Sequence, residues 1–186
     1  MQALAFFRPL CYTENMKYDY KALYEKSAAF YNKSPQRVKV LKLCNVGLTW
    51  LFVGAYALLW ALAVFTDKLP SHDVVRLFCV PMAALLLVSV IRLGAERPRP
   101  YSEKGAKITP FVDRGDRDGD SFPSRHIACA AAITALFFTI TPALGVLLSV
   151  CCLALAYVRF AIGVHYPSDL LAGIAVGSLC SIFLFL

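Results

Sequence analysis

The chain has 186 residues, a mass of 20.5 kDa and a formal net charge of +7 at pH 7. Hydrophobic residues make up 59% of it and charged residues 17%, whereas a typical soluble domain is about 45–50% apolar and about 25% charged. This composition argues against an ordinary soluble domain, a disordered chain and a fibrous repeat, and it indicates a membrane protein. The seven cysteines, an odd number found mostly in apolar runs, are predicted to be buried thiols and not a disulfide framework.

The N-terminal part of the chain is basic, with eight Lys and Arg against three acidic residues in residues 1–42. Six residues recur there at i, i+3 and i+4 spacing, on one helix face with lysines opposite: Tyr20, Leu23, Tyr24, Ser27, Ala28 and Tyr31. Such a helix either lies in the membrane interface or packs on the bundle, and the pattern fits both equally. We assign residues 1–42 to a basic segment with an interfacial amphipathic helix, and residues 43–186 to a transmembrane domain.

The rest of the chain contains several apolar runs long enough to cross a membrane, which takes about 20 residues for a hydrocarbon layer of about 30 Å. Residues 43–66 and 74–93 are the first two predicted spans, and the second has an arginine near each end. Residues 127–158 are uncharged and too long for one span, but Thr141-Pro142 near the middle favours a break, since proline suits the first turn of a helix.

We therefore predict two spans joined by a tight turn, at residues 124–140 and 142–161, and a fifth span at residues 170–186. The predicted fold is all-α: an integral-membrane helical bundle of about five transmembrane helices plus the N-terminal amphipathic helix.

Even numbers of crossings bring a set of polar residues to one membrane surface. They are Arg92, Arg99, Ser124, Arg125, His126, Arg159, His165 and Asp169. Each alone is explained as an interfacial anchor, but together they leave an excess of positive charge, which predicts an anion site and favours phosphate. Ser124 is a natural N-cap, and the helix that it opens directs backbone N–H groups toward such an anion.

Two histidines in this set suggest catalysis as well as binding. Asp169 lies close to His165 in sequence, and a carboxylate beside an imidazole holds its tautomer and stabilises its cation. One histidine could then attack phosphorus while the other, His126, protonates the leaving oxygen.

Three short motifs make the chain resemble the type 2 phosphatidic acid phosphatase superfamily of membrane lipid phosphatases. The family pattern is Lys-x6-Arg-Pro, Pro-Ser-Gly-His and Ser-Arg-x5-His-x3-Asp. The corresponding residues here are Arg92-x6-Arg99-Pro100, Pro123-Ser124-Arg125-His126 and Val158-Arg159-x5-His165-x3-Asp169. The resemblance covers about residues 92–173, with the motifs in order.

The resemblance implies a role for each matching residue. His165 matches the phosphoryl-accepting nucleophile, Asp169 its orienting carboxylate and His126 the general acid. The phosphate-binding positions are Arg92, Arg99, Ser124, Arg125 and Arg159. The resemblance implies a reaction without a metal, and no cofactor is predicted. The chain departs from the pattern because Arg92 replaces Lys, Arg125 replaces Gly and Val158 replaces Ser.

We therefore expect a membrane enzyme that hydrolyses a lipid phosphate or diphosphate through a phosphohistidine, with an isoprenoid diphosphate, phosphatidylglycerol phosphate or phosphatidic acid as substrate. Its expected partners are this substrate and membrane lipids, with no nucleic acid, and the oligomeric state is not specified. The alternative is a non-catalytic protein that binds or transports an anionic lipid. A zinc site of His126, His165 and Asp169 is disfavoured because three arginines would repel the cation. Vanadium-dependent haloperoxidases share the motifs but are soluble.

The predicted location is the cell membrane, with several crossings. The basic N-terminal segment and the site fall on the same side, whereas the opposite side has little more than Lys68 and Arg76. The positive-inside rule therefore favours a site that faces the cytoplasm. The resemblance favours the other side, because many bacterial family members act on the outer face.

Overall fold

The computed structural model describes residues 14–66, 71–102, 104–112 and 120–185. These ranges contain six helices and no strand: α1 Glu14–Asn32, α2 Pro35–Phe65, α3 Ser71–Ala95, α4 Arg125–Ile140, α5 Pro142–Ala161 and α6 Pro167–Phe185. The first thirteen residues of the predicted basic segment and Leu186, at the end of the fifth predicted span, lie outside the described residues.

The predicted all-α membrane fold is confirmed. By length and composition, three helices can cross a membrane, Pro35–Phe65, Asp73–Ala95 and Pro142–Ala161, and α4 and α6 are shorter apolar helices. Large apolar side chains of α2, α3 and α5, such as Trp50, Val90 and Leu153, are exposed on the outside of the bundle, as lipid-facing residues are. The chain is a multi-pass membrane protein.

The helix α2 begins eight residues before the predicted span. Pro35 occupies the first turn, and Ser34 before it has extended backbone, so the helix starts where the proline ring fits. With 31 residues, α2 is about 46 Å long, against about 30 Å of hydrocarbon. Its first turns carry Arg37, Lys39 and Lys42, which are good helix formers, so nothing ends the helix at the membrane surface.

The predicted break at Thr141-Pro142 is confirmed, since α4 ends at Ile140 and α5 begins at Pro142. Thr141 between them has extended backbone, which reverses the direction of the chain without a loop. Helix α4 is the centre of the bundle, where α3, α5 and α6 pack against it. Gly177 of α6 makes this packing close, because a Cβ there would overlap the carbonyl oxygen of Ala128.

The aromatic face of α1 packs on the protein. Tyr20 and Tyr24 are buried in a small cluster with Ala106, Ile108 and Tyr166, beside the link between α5 and α6. Lys21 and other lysines on the outer side of α1 are exposed. Contact with the membrane interface on that outer side stays a prediction.

Candidate active site

The link between α5 and α6, residues 162–166, carries His165 at the end of the bundle where α4 begins. Gly163 makes the turn possible because its φ is +84°, a left-handed conformation that residues with a Cβ rarely adopt. The Val164 N–H donates to the carbonyl oxygen of Arg159 at 3.3 Å, which ties the link back to the last turn of α5. This short connection brings His165 and Asp169 together.

His165 and Asp169 form a buried pair, with the side chains 2% and 0% exposed. Nδ1 of His165 lies 3.4 Å from Oδ2 of Asp169, and the Tyr166 N–H donates to the same oxygen at 2.9 Å. Because Asp169 accepts at Nδ1, the imidazole carries its proton there. Nε2 is then the basic nitrogen, and it lies 3.4 Å from Oγ of Ser124.

Arg97 and Ser121, which the motifs did not indicate, complete the surroundings of Asp169. Nη1 of Arg97 donates to Oδ1 of Asp169 at 2.8 Å and to Oγ of Ser168 at 2.8 Å. The Ser121 hydroxyl donates to Oδ2. Both partners of the Arg97–Asp169 ion pair are fully buried. Asp169 is therefore held by four donors before any substrate binds, and its orientation is fixed.

Burial and charge set the protonation of this pair. Burial lowers the pKa of His165 from its usual value, the charges of Arg99 and Arg159 lower it further, and Asp169 only partly opposes them. Burial acts to raise the pKa of Asp169, but hydrogen bonds from His165 and Ser121 and the Arg97 charge hold it below its ordinary value. At neutral pH the site therefore contains a neutral imidazole beside a carboxylate, the form in which Nε2 can act as a nucleophile.

The predicted phosphate-binding arginines differ in what they contact. Arg92 is buried and donates twice to the Pro123 carbonyl oxygen, from Nε at 3.0 Å and Nη2 at 2.7 Å, so it holds the turn that precedes α4. Nη2 of Arg159 donates to Oγ1 of Thr49 at 3.2 Å, a partner supplied by α2. Arg99 lies close enough for its charge to act on His165. A direct contact of any of them with phosphate stays a prediction.

At the start of α4, Ser124 lies against His165, whereas the next two residues are exposed. Ser124 is fully buried and caps no backbone group of α4, which leaves its hydroxyl near His165. Its N–H donates to the Asp169 carbonyl oxygen at 3.0 Å, which joins α4 to α6. Arg125 and His126 are exposed in the first turn of α4, outside the buried pair.

A groove of about 410 Å³ runs from Arg125 and His126 into the bundle between α2 and α4. Its other lining residues come from four helices: Thr49, Phe52, Val53, Tyr56, Leu85, Cys129, Ala130, Ile133 and Leu155. Beyond Arg125 and His126 the groove is lined mostly by apolar side chains, and along α4 it extends from Arg125 to Ile133, about 12 Å. It is therefore suited to an apolar chain attached to a polar head.

In the part of the chain that the structure describes, no three His, Cys, Asp or Glu side chains form a group that could hold a metal ion. The positive charge around His165 comes instead from guanidinium groups.

The comparison with known families decides the classification. Residues 73–186 match the model of the PAP2 superfamily. The chain belongs to the PAP2 superfamily. The resemblance inferred from the three motifs is thereby confirmed.

Two curated relatives of this PAP2 chain are named lipid A 1-phosphatase. One, from Rhizobium etli, is 34% identical over 104 residues, which is 54% of this chain and 44% of the relative. The other, from Rhizobium johnstonii, is 32% identical over 105 residues, which is 55% of this chain and 42% of the relative. The matched part is thus less than half the length of each relative.

Two solved structures share the fold of this PAP2 chain. The first transmembrane PAP2 type phosphatidylglycerolphosphate phosphatase from Bacillus subtilis has a TM-score of 0.70, with 20% identity over 99% of this chain and 91% of that chain. LpxE of Aquifex aeolicus has a TM-score of 0.60, with 20% identity over 87% of this chain and 93% of that chain. At this identity the likeness extends to the fold alone.

Proposed function

We propose that this PAP2 protein is a membrane phosphatase that hydrolyses the phosphate monoester or diphosphate of a lipid. The observation that carries the proposal is the buried His165–Asp169 pair. Its imidazole is kept neutral, its Nε2 faces Ser124, and the charges of Arg99 and Arg159 act on it. A neutral nucleophile among fixed cations is suited to attack on a phosphate, whose charge the arginines offset.

In the proposed reaction, Nε2 of His165 attacks phosphorus. A P–N bond forms as the P–O bond to the lipid breaks, and His126 donates a proton to the leaving oxygen. Asp169 keeps the Nδ1 proton in place and stabilises the imidazolium. Water then attacks the phosphohistidine, the P–N bond breaks, and a proton of that water passes to His126. The arginines supply the positive charge that a metal would otherwise supply, so the reaction is proposed to be metal-independent.

The groove supports a lipid as the molecule that carries the phosphate. It starts at His126, the proposed donor to the leaving oxygen, and continues into apolar surroundings between α2 and α4. The leaving oxygen is the atom to which the lipid is attached, so the tail would extend from the reacting centre into the groove. The names of the relatives add lipid A 1-phosphate to an isoprenoid diphosphate, phosphatidylglycerol phosphate and phosphatidic acid as candidate substrates.

The experiment that tests the proposal is phosphate release by the purified protein in detergent, with a metal chelator present. We expect release from at least one of the four candidate lipids and little release from glycerol phosphate, which has no tail to fill the groove. Full loss of release in chelator would contradict the metal-independent reaction. Specific lipid binding without any phosphate release would instead favour the alternative function, a protein that binds or transports an anionic lipid.

A variant that fills the groove serves as the control for the lipid preference. Cys129→Phe, at a half-buried position about one turn of α4 beyond His126, places a ring in the groove without replacing His165 or the arginines. Its release from the long-chain lipid is expected to fall while release from a short-chain analogue persists. Equal release from both would show that the tail does not lie in this groove.

We further propose that the site opens to the cytoplasm, because the basic first turns of α2 are at the same end of the bundle as His165. The measurement is labelling of single-cysteine variants, in which the native cysteines are replaced and one cysteine is introduced. Lys104→Cys, exposed in the segment after α3, is expected to escape an impermeant maleimide in intact cells. Phe65→Cys, exposed at the opposite end of α2, is expected to react. The reverse pattern would place the site on the outer face.

A further inference from the structure

Helix α1 lies before the residues that match the family model, yet it contacts the catalytic link directly. Tyr20, only 3% exposed, meets the Tyr166 ring edge-to-face with a centroid distance of 4.7 Å. Arg97 lies over that same ring, with Cζ 4.2 Å from its centroid. Tyr166 is thus in contact with a tyrosine of α1 and with the arginine that binds Asp169.

A second contact of α1 reaches the other part of the link. The Tyr24 hydroxyl donates to the Thr109 carbonyl oxygen at 2.7 Å. Two residues further on, the Phe111 N–H donates to the carbonyl oxygen of Ile162 at 3.0 Å, at the start of the link. Tyr24 also lies against Gly163, where an added Cβ would be 3.0 Å from its ring. Both ends of the link that carries His165 are therefore supported from α1.

We infer that α1, docked through Tyr20 and Tyr24, is a positioning element for the His165–Asp169 pair. The inference rests on the phosphatase activity proposed above. Tyr20 packs against Tyr166. The Tyr166 N–H donates to Oδ2 of Asp169, and the Tyr166 ring lies under the guanidinium of Arg97. Displacement of Tyr20 would let the carboxylate and the imidazole move relative to each other, and small shifts of reacting groups reduce rates strongly. Tyr20 and Tyr24 are thus proposed to act through the link and not on the substrate.

Tyr20 contacts Tyr166 through its ring and not through its hydroxyl. Within the described residues the Tyr20 hydroxyl is buried and has no hydrogen-bond partner. A buried hydroxyl without a partner contributes nothing favourable, so its removal is tolerated. Tyr20→Phe is therefore expected to keep full activity, whereas Tyr20→Met keeps a flexible apolar side chain of similar reach and loses the ring.

The test compares kcat, KM and the pH profile of these variants. Tyr20→Met is expected to lower kcat by about tenfold or more with KM unchanged, since the arginines and the groove are untouched. The acid limb of the pH profile of this variant should also move to higher pH. In the intact site burial lowers the pKa of His165, and the charges of Arg99 and Arg159 lower it further. Asp169 raises this pKa and so offsets part of the effect. Water admitted beside the imidazole weakens the effect of burial, so protonation sets in at a higher pH.

The controls separate positioning from folding. Tyr18→Met, on the same helix at a side chain 71% exposed, should match the original chain. Tyr24→Phe removes only the bond to Thr109 and should give a smaller kcat loss of the same kind, even where Tyr20→Met fails to fold. Unchanged kcat and an unmoved acid limb in the folded variants would overturn the inference. Absence of phosphate release from the original chain would overturn the proposed function instead.

Discussion

Replacement of His165 by alanine is expected to abolish phosphate release, with kcat lower by at least about 10³-fold, because the residue that forms the P–N bond is lost. The folded protein should persist, since the ion pair of Arg97 with Asp169 does not involve the imidazole. The measurement is steady-state release at saturating lipid, combined with rapid acid-free quenching that traps phosphate covalently bound to the protein. The original chain should yield phosphohistidine, and His165→Ala should yield none.

The two other histidines provide matched controls for this result. His126→Ala is expected to slow the formation of phosphohistidine, because the leaving oxygen lacks its proton donor, without preventing it. His72 lies in the first turn of α3, at the opposite end of that helix from Arg92, so His72→Ala should leave the rate unchanged. Covalent phosphate in the His165→Ala protein would assign the nucleophile to another residue and contradict the proposed reaction.

The second large effect concerns stability. Arg97→Met is expected to lower the free energy of unfolding by about 3–5 kcal/mol, because it leaves the Asp169 carboxylate buried without its ion-pair partner. Phosphate release should fall with it, since Asp169 would lose one of the donors that fix its orientation. The stability change is measured as the shift of the unfolding transition in detergent, and the activity is measured on the fraction that remains folded.

A double variant tests whether the loss comes from the unpaired charge. Arg97→Met combined with Asp169→Asn removes both charges, and it should regain part of the stability lost in the single variant. Lys39→Met, an exposed cation on α2, is the matched control and should have little effect. If the unfolding transition of Arg97→Met coincides with that of the original chain, the ion pair is not what stabilises this end of the bundle.

The sequence was sufficient to predict the helices and much of the site because both depend on local patterns. Apolar run length and one proline predicted the spans, and the motif indicated the pair of His165 and Asp169, which the structure brings to within 3.4 Å. Counting crossings correctly brought Ser124 next to His165, although the two are 41 positions apart.

The residues that were missed depend on the path of the segment between α3 and α4, which has no periodic pattern. Arg97 stands two positions before Arg99. Arg97 binds Asp169, whereas Arg99 belongs to the motif. Composition gives no means of choosing between neighbouring arginines in such a segment. A fully buried carboxylate does need a buried cation, and that rule could have raised the question of which arginine supplies it. The contact of Tyr20 with Tyr166 likewise required knowing how α1 packs.

The shortness of α4 affects how this protein sits in a bilayer. Sixteen residues between Ser124 and Thr141 rise about 24 Å, several ångströms less than the usual hydrocarbon thickness of about 30 Å. Because α4 lies inside the bundle, this shortfall is met by the neighbouring helices, and the N-terminus of α4, where Ser124 faces His165, would be recessed below the level of the surrounding head groups. A lipid phosphate would then reach the histidine by moving below the head-group level, to the end of a helix that protein and not lipid surrounds.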